Sequence, residues 1–182
     1  MNSVQLHDKS FKPYISYEEL EKAIDQVAER LNMDFFGCED VPVLLCVLNG
    51  SIMFTAELMK RLRFQLQLVS IKLSSYQGTA TTGEVRTDMG LTADIRGRRV
   101  IIVEDIVDTG YTIRELRRIC QENGAAQTYV CTMLFKEEAY KLEEKLDYVA
   151  MKIKNRFIVG FGLDYDEIGR NLKDIYILDS QA

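Results

Sequence analysis

Histidine, proline and paired cysteines are scarce in this chain. The one histidine is His7, near the N-terminus, and the only prolines are Pro13 and Pro42. A lone terminal histidine excludes a mechanism built on a buried histidine base, and any multi-histidine metal site. Cysteines stand at positions 38, 46, 120 and 131, none in a C-x-x-C pair. Three of them lie in apolar runs, where a thiol behaves as a small hydrophobe. Reduced structural thiols are therefore expected, rather than disulfides or zinc ligands. No apolar run approaches the ~20 residues that a helix needs to cross a bilayer. The opening MNSVQLHDKSFKPY lacks the apolar core of a signal peptide. Positive charge is not in surplus either: 23 Lys and Arg face 28 Asp and Glu, a net charge of −5. The phosphate backbone of a nucleic acid has no evident docking surface. The expectation is a soluble, cytoplasmic protein that engages neither nucleic acid nor membrane.

What is present fits one domain, 1–182, with a sizeable core: the length is 182 residues, with 47% hydrophobic and 28% charged. There is no repeat, low-complexity segment or linker. Ser16-Tyr17-Glu18-Glu19 is a capping box, followed by Leu20, Ala23, Ile24, Val27, Ala28 and Leu31 on one helical face. The run over 41–48, VPVLLCVL, reads as a strand buried on both faces, and a helix is expected from Ile52 to about Leu62. Residues 64–73 read as another strand. The stretch 74–90, SSYQGTATTGEVRTDMG, is rich in Ser, Thr and Gly. A loop this long in a compact domain is usually functional or disordered.

A strand over 99–103 follows. A second capping box, Thr112-Ile113-Arg114-Glu115, should open a helix to about Asn123, with Gly124 just past its end. Strands are expected over 127–135, 147–153 and 156–160, and 137–146 reads as a short helix or a charged loop. The alternation of strands and helices predicts an α/β fold with a mostly parallel central sheet flanked by helices. Ligands bind such sheets at the carboxyl ends of the strands. That draws attention to Asn49-Gly50-Ser51, to 104–112, to Lys136 and to 160–164.

The segment VIIVEDIVDTGYT, 100–112, runs from a buried strand into a helix N-terminus. Free N–H groups and the positive dipole end can hold a phosphate there without lysine. Gly110 admits a ligand close to the backbone, and Thr109 and Thr112 add hydroxyl donors. The pentapeptide Asp108-Thr109-Gly110-Tyr111-Thr112, taken alone, is equally a plain helix start. Glu104 and Asp105, directly after four apolar residues, are a poor match to a solvated face. Carboxylates accept from sugar hydroxyls and from waters on Mg²⁺.

Taken together, this segment, VLNGSIMF (47–54), SSYQGTATTGEV (74–85), Lys136 after a strand, and FIVGFGLDYDEIGRNL (157–172) resemble the type I phosphoribosyltransferases. The likeness extends over about 12–178 and is strongest to the hypoxanthine-guanine branch. It implies a small hood beside the main sheet and a flexible lid over 74–90. It also implies the substrates, a 6-oxopurine and 5-phosphoribosyl-1-pyrophosphate (PRPP), with Mg²⁺ as cofactor, and a homodimer or homotetramer.

The resemblance assigns roles as well. Thr109, Gly110, Tyr111 and Thr112 would hold the 5′-phosphate. Glu104 and Asp105 would face the ribose hydroxyls and metal waters. Asp108 would be the general base at purine N7. Lys136 would donate to O6, Phe157 would stack on the base, and the Ile158 backbone would meet its edge. Asp164 would ligate a second Mg²⁺. Asn49, Gly50 and Arg170 would contact pyrophosphate, and Ser75 and Tyr76 would close the lid. Relatives often carry Lys or Arg at position 49 and a cis peptide at the bond equivalent to Leu48–Asn49. An RNA-binding regulator on the same fold would need a basic face, and the net charge argues against one. A receiver domain would begin with the acidic strand, whereas here about a hundred residues precede it.

Overall fold

Val43–Leu48 (β3) is buried along almost its whole length because it lies in the middle of a sheet covered on both sides. The structure is a computed structural model and describes residues 2–75 and 85–179. The main sheet has six strands in the order β5-β4-β3-β6-β7-β8. These are β4 (Gln67–Ser75), β5 (Val85–Met89), β6 (Arg99–Val107), β7 (Gln127–Phe135) and β8 (Tyr148–Lys152), together with β3. Every neighbouring pair is parallel except β4 with β5 at the edge. The α/β sheet expected from the sequence is therefore present.

Strand alternation sorts the core into two layers. Leu44, Ile101 and Val103 join α1 (Tyr17–Phe35) and α2 (Ile52–Met59) on one side. Val43, Leu45, Val100 and Ile102 join α3 (Tyr111–Glu122) on the other. This is why β3 and β6 read as unbroken apolar runs. The capping box of α1 forms as expected. The Ser16 hydroxyl accepts from the Glu19 N–H, and the Glu19 carboxylate accepts from the Ser16 N–H.

Several boundaries differ from the sequence expectation. β6 runs on to Val107, because its ladder with β7 continues through Ile106↔Leu134 and Val107↔Phe135. Glu104 and Asp105 thus lie within the last part of a strand rather than in a loop. α3 begins at Tyr111, with Gly110 as its N-cap in a left-handed conformation (φ +91°) and no side-chain cap, so the Thr112 capping box does not form. Gly124 does fall just past the helix, at φ +75°. The stretch 74–90 is not all loop, since Val85–Met89 pairs back on β4; Tyr76 and the rest of 76–84 lie outside the described residues. Only a single 3₁₀ turn, Glu137–Ala139, forms within 137–146.

A second, smaller sheet stands beside the first, where the resemblance implies a small hood. Its order is β1-β2-β10-β9, from β1 (Val4–Leu6), β2 (Lys9–Ile15), β9 (Ile158–Val159) and β10 (Ile175–Leu178), all antiparallel. The strand expected over 156–160 belongs here. Phe11, Val159 and Tyr176 form the centre of its small core.

Candidate active site

The carboxyl ends of β3, β6 and β7 lie side by side, and the candidate residues follow them. Val107 and Phe135 are register partners in adjacent parallel strands, so the residues after them, Asp108 and Lys136, emerge together. The Lys136 N–H donates to the Val107 carbonyl at 2.9 Å. Its ammonium donates to Asp108 Oδ2 at 3.0 Å. The Lys136 side chain is largely covered, at 12% exposure, while Asp108 is 45% exposed.

Beyond Asp108 the chain turns through Thr109 and Gly110 into α3. The first return bond of the helix is Arg114 N–H to the Gly110 carbonyl, 3.0 Å, which leaves the N–H groups just before it directed outward. A cavity of about 260 Å³ opens there, lined from Glu104 through Gly110 and by Thr112 and Ile113. A Cβ on Gly110 would lie 2.5 Å from the Tyr140 ring and 2.9 Å from the Leu142 side chain, so another residue would have to displace both, at a φ of +91° that side chains disfavour.

After β3 the chain enters Asn49-Gly50-Ser51, and the Leu48–Asn49 peptide is cis. Gly50 is packed so tightly that a Cβ would fall 1.7 Å from Asp105 Oδ2. A Cβ on Gly162, in turn, would meet the Gly50 carbonyl at 2.0 Å. Asp105, Gly50 and Gly162 therefore form one close-packed stack, which joins the end of β6, the β3 loop and the segment after β9. Arg170 fastens the last of these. It donates to the Gly162 carbonyl at 2.8 Å and pairs with Asp164 at 2.6 Å. Asp164 also accepts from the Glu167 N–H at 2.8 Å. Phe157 is 46% exposed, and Ile158 is held in the second sheet opposite Ile177.

A match to the family model described as phosphoribosyl transferase domain spans 16–166. The chain belongs to the phosphoribosyltransferase family. A hypoxanthine-guanine phosphoribosyltransferase of Streptococcus pneumoniae is 39% identical to it over 172 residues, with 94% of each chain covered. A hypoxanthine-guanine-xanthine phosphoribosyltransferase of Tritrichomonas foetus is 35% identical, covering 98% of this chain and 97% of its own. Among solved structures, a hypoxanthine phosphoribosyltransferase from Staphylococcus aureus superposes with a TM-score of 0.86 at 32% identity, covering 93% of this chain and 92% of its own. The fold is thus that of the type I phosphoribosyltransferases.

Two kinds of acid distinguish the site of this phosphoribosyltransferase. Asp108 and Asp164 each have a cationic partner. Glu104 and Asp105 form no ion pair among the described residues. Glu104 is 6% exposed, and desolvation, reinforced by Asp105 and Cys46, holds its carboxyl well above the usual range. Desolvation likewise raises Asp105 to about 6, against the backbone N–H of Ile106 and the charge of Arg170. Buried, unpaired carboxylates of this kind suit a site completed by a cation. Among the described residues no three acidic, histidine or cysteine side chains form a metal-sized group. Glu104, Asp105 and Asp164 could hold Mg²⁺ only together with oxygens from water or ligand, the usual pattern for that ion.

The structure brings Asn49, Gly50, Asp105, Asp164 and Arg170 together through the glycine stack. It brings Asp108, Lys136 and the α3 N-terminus together through strand register. Ser75 ends β4. Gly162 as a packing partner of the β3 loop was missed in the sequence, although Gly160-Phe161-Gly162 marked a close approach. Lys9 and Tyr165, which flank Phe157, and Asp8, which accepts from the Tyr165 hydroxyl, carried no local signal.

Proposed function

We propose that this phosphoribosyltransferase carries out purine salvage, joining hypoxanthine or guanine to the phosphoribosyl group of PRPP. N9 of the base bonds to C1′ of the ribose, the C1′–oxygen bond to pyrophosphate breaks, and IMP or GMP results. The observation that carries this reading is the Asp108–Lys136 pair, a carboxylate and an ammonium 3.0 Å apart beside the α3 cavity. A 6-oxopurine presents an N7 proton and an O6 acceptor on one edge, and this pair offers an acceptor and a donor to match. Adenine has an amino group, itself a donor, where O6 would be.

In this reading Asp108 takes the proton from N7 as N9 attacks, a step that positioned bases typically accelerate 10²–10⁴-fold. The N–H groups of Gly110, Tyr111 and Thr112, with the Thr109 and Thr112 hydroxyls, hold the 5′-phosphate at the helix dipole. Phe157 stacks on the base and the Ile158 backbone meets its edge. Asn49, Gly50 and Arg170 receive the pyrophosphate, largely through backbone N–H groups, since position 49 carries no charge. Ser75 and Tyr76 would close over the reacting carbon and exclude water, the competing nucleophile.

Glu104, Asp105 and Asp164 would hold Mg²⁺ through its waters and the substrate's oxygens. When bound, the ion neutralises charge on the departing pyrophosphate. No helix among the described residues is long and apolar enough to cross a membrane, and all four cysteines are free thiols. Both suit a cytoplasmic site of action. A homodimer or homotetramer is the assembly this reading carries, and light scattering would measure it. The direct test incubates the purified protein with PRPP, Mg²⁺ and hypoxanthine and follows IMP and pyrophosphate by chromatography. Stoichiometric appearance of both is expected, and no IMP under these conditions would overturn the assignment.

A further inference from the structure

Phe157 is a large aromatic ring left half exposed at the edge of the second sheet, yet its position is defined on several sides. Phe11, fully buried, lies 6.1 Å from it, centroid to centroid, and 6.0 Å from Tyr165. Tyr165 stands perpendicular to Phe157 at 5.8 Å. The remaining contact is a charge. The Lys9 ammonium sits 4.4 Å over the Tyr165 ring and 5.7 Å from the centre of Phe157.

The β1–β2 hairpin holds this arrangement in place. The Tyr165 hydroxyl donates to Asp8 Oδ1 at 2.7 Å. The His7 ring meets Tyr165 edge-on at 5.8 Å, and its Nε2 lies 3.3 Å from the Asp166 carbonyl. Three consecutive residues of the hairpin, His7, Asp8 and Lys9, thus grip the residue next to Asp164. A cation within about 6 Å of an aromatic face is attracted by the ring quadrupole. A ring held by such contacts surrenders less freedom when a base stacks on it than a ring free to turn.

We propose, given the assignment of Phe157 as the stacking ring, that Lys9 is a positioning residue for the purine. Its ammonium, lodged between Tyr165 and Phe157, presets the platform on which the base is received. Lys9 acts through the rings and touches neither the ribose nor the pyrophosphate. Its removal therefore alters purine KM and leaves kcat and the PRPP KM alone.

The test is a double-mutant cycle of Lys9→Met and Phe157→Leu, with Lys9→Arg as the conservative variant. Steady-state kinetics are measured with hypoxanthine and guanine varied at saturating PRPP, and with PRPP varied at saturating base, with Mg²⁺ throughout. Lys9→Met is expected to raise purine KM about 2–5-fold, the scale of an exposed cation–π contact. Its kcat and PRPP KM should stay within about twofold, and Lys9→Arg should restore the purine KM. In the Phe157→Leu background, which has no ring, Lys9→Met should add nothing. If Phe157→Leu raises purine KM but Lys9→Met does not, or if Lys9→Met acts equally in both backgrounds, the role of Lys9 is overturned and the stacking assignment stands. If Phe157→Leu leaves purine KM unchanged, the stacking assignment fails, and the role of Lys9 with it.

Discussion

The Lys136 ammonium and the Asp108 carboxylate meet at 3.0 Å, each one residue beyond a register pair that ends two parallel strands. The pairing is set by the backbone ladder rather than by flexible loops, so its geometry exists before any ligand arrives. In the proposed reaction, a base entering the site would exchange this ion pair for one hydrogen bond to each partner.

Asp108→Asn keeps the shape of that pair but removes the proton acceptor. With hypoxanthine, kcat should fall about 10²-fold or more while the PRPP KM changes little. Initial rates across a PRPP titration measure both. An unchanged kcat would remove Asp108 as the base.

Lys136→Ala removes a charge-assisted donor worth roughly 1.5–3 kcal/mol. The kcat/KM for hypoxanthine and for guanine should fall about 10–10²-fold. Full retention for both bases would take Lys136 out of the purine subsite.

Gly162→Ala tests the glycine stack. The added methyl would lie 2.0 Å from the Gly50 carbonyl, at a backbone φ of +97° that a side chain disfavours. The Asn49-Gly50 loop must then shift. Overpacking of this kind costs about 1–3 kcal/mol, so thermal melting should drop by several degrees. A misplacement near 1 Å can cost about 10²-fold in rate, and the loss should appear in kcat/KM for PRPP. A variant with normal PRPP kinetics would show that the stack does not position the pyrophosphate loop.

The Ser16–Glu19 box makes a pH-dependent contribution away from the site. Hydrogen bonds from the Ser16 backbone and side chain lower the Glu19 pKa from its ordinary value of 4.5. A depressed folded pKa means that this contribution is present above pH 4.5 and is lost as pH falls through the folded value. Ser16→Ala should cost about 1 kcal/mol at pH 7, and the gap from wild type should narrow in acid. Chemical denaturation at pH 7 and pH 4 measures the change. An equal gap at both would exclude the carboxylate's part in the cap.

Local chemistry made much of this molecule readable in advance. The capping box of α1 uses residues three apart, and the two-sided burial of β3 and β6 is written in their own composition. Glu104 and Asp105 could likewise be singled out as functional from their abrupt place after an apolar run. What was not readable depended on distant partners. β2 and β10 make one sheet from opposite ends of the chain, with Phe11 opposite Leu178, and neither strand carries a strong local pattern. The extension of β6 over Glu104 and Asp105 depends on pairing with β7, which overrides their low strand propensity. The start of α3 was misplaced because Gly110 caps the helix through its left-handed backbone, while Thr112-Ile113-Arg114-Glu115 mimics a box. Lys9 was invisible for the same reason as β2: its neighbours Phe157 and Tyr165 are remote in sequence.

The central claim is that Asp108 and Lys136 select a 6-oxopurine for phosphoribosyl transfer. Its most direct test is kcat/KM for hypoxanthine, guanine and adenine, each with saturating PRPP and Mg²⁺. IMP and GMP should form readily, with AMP formation at least about 10²-fold less efficient, because adenine leaves the Lys136 donor facing another donor. AMP formation at a comparable kcat/KM, or no nucleotide from either oxopurine, would contradict the account.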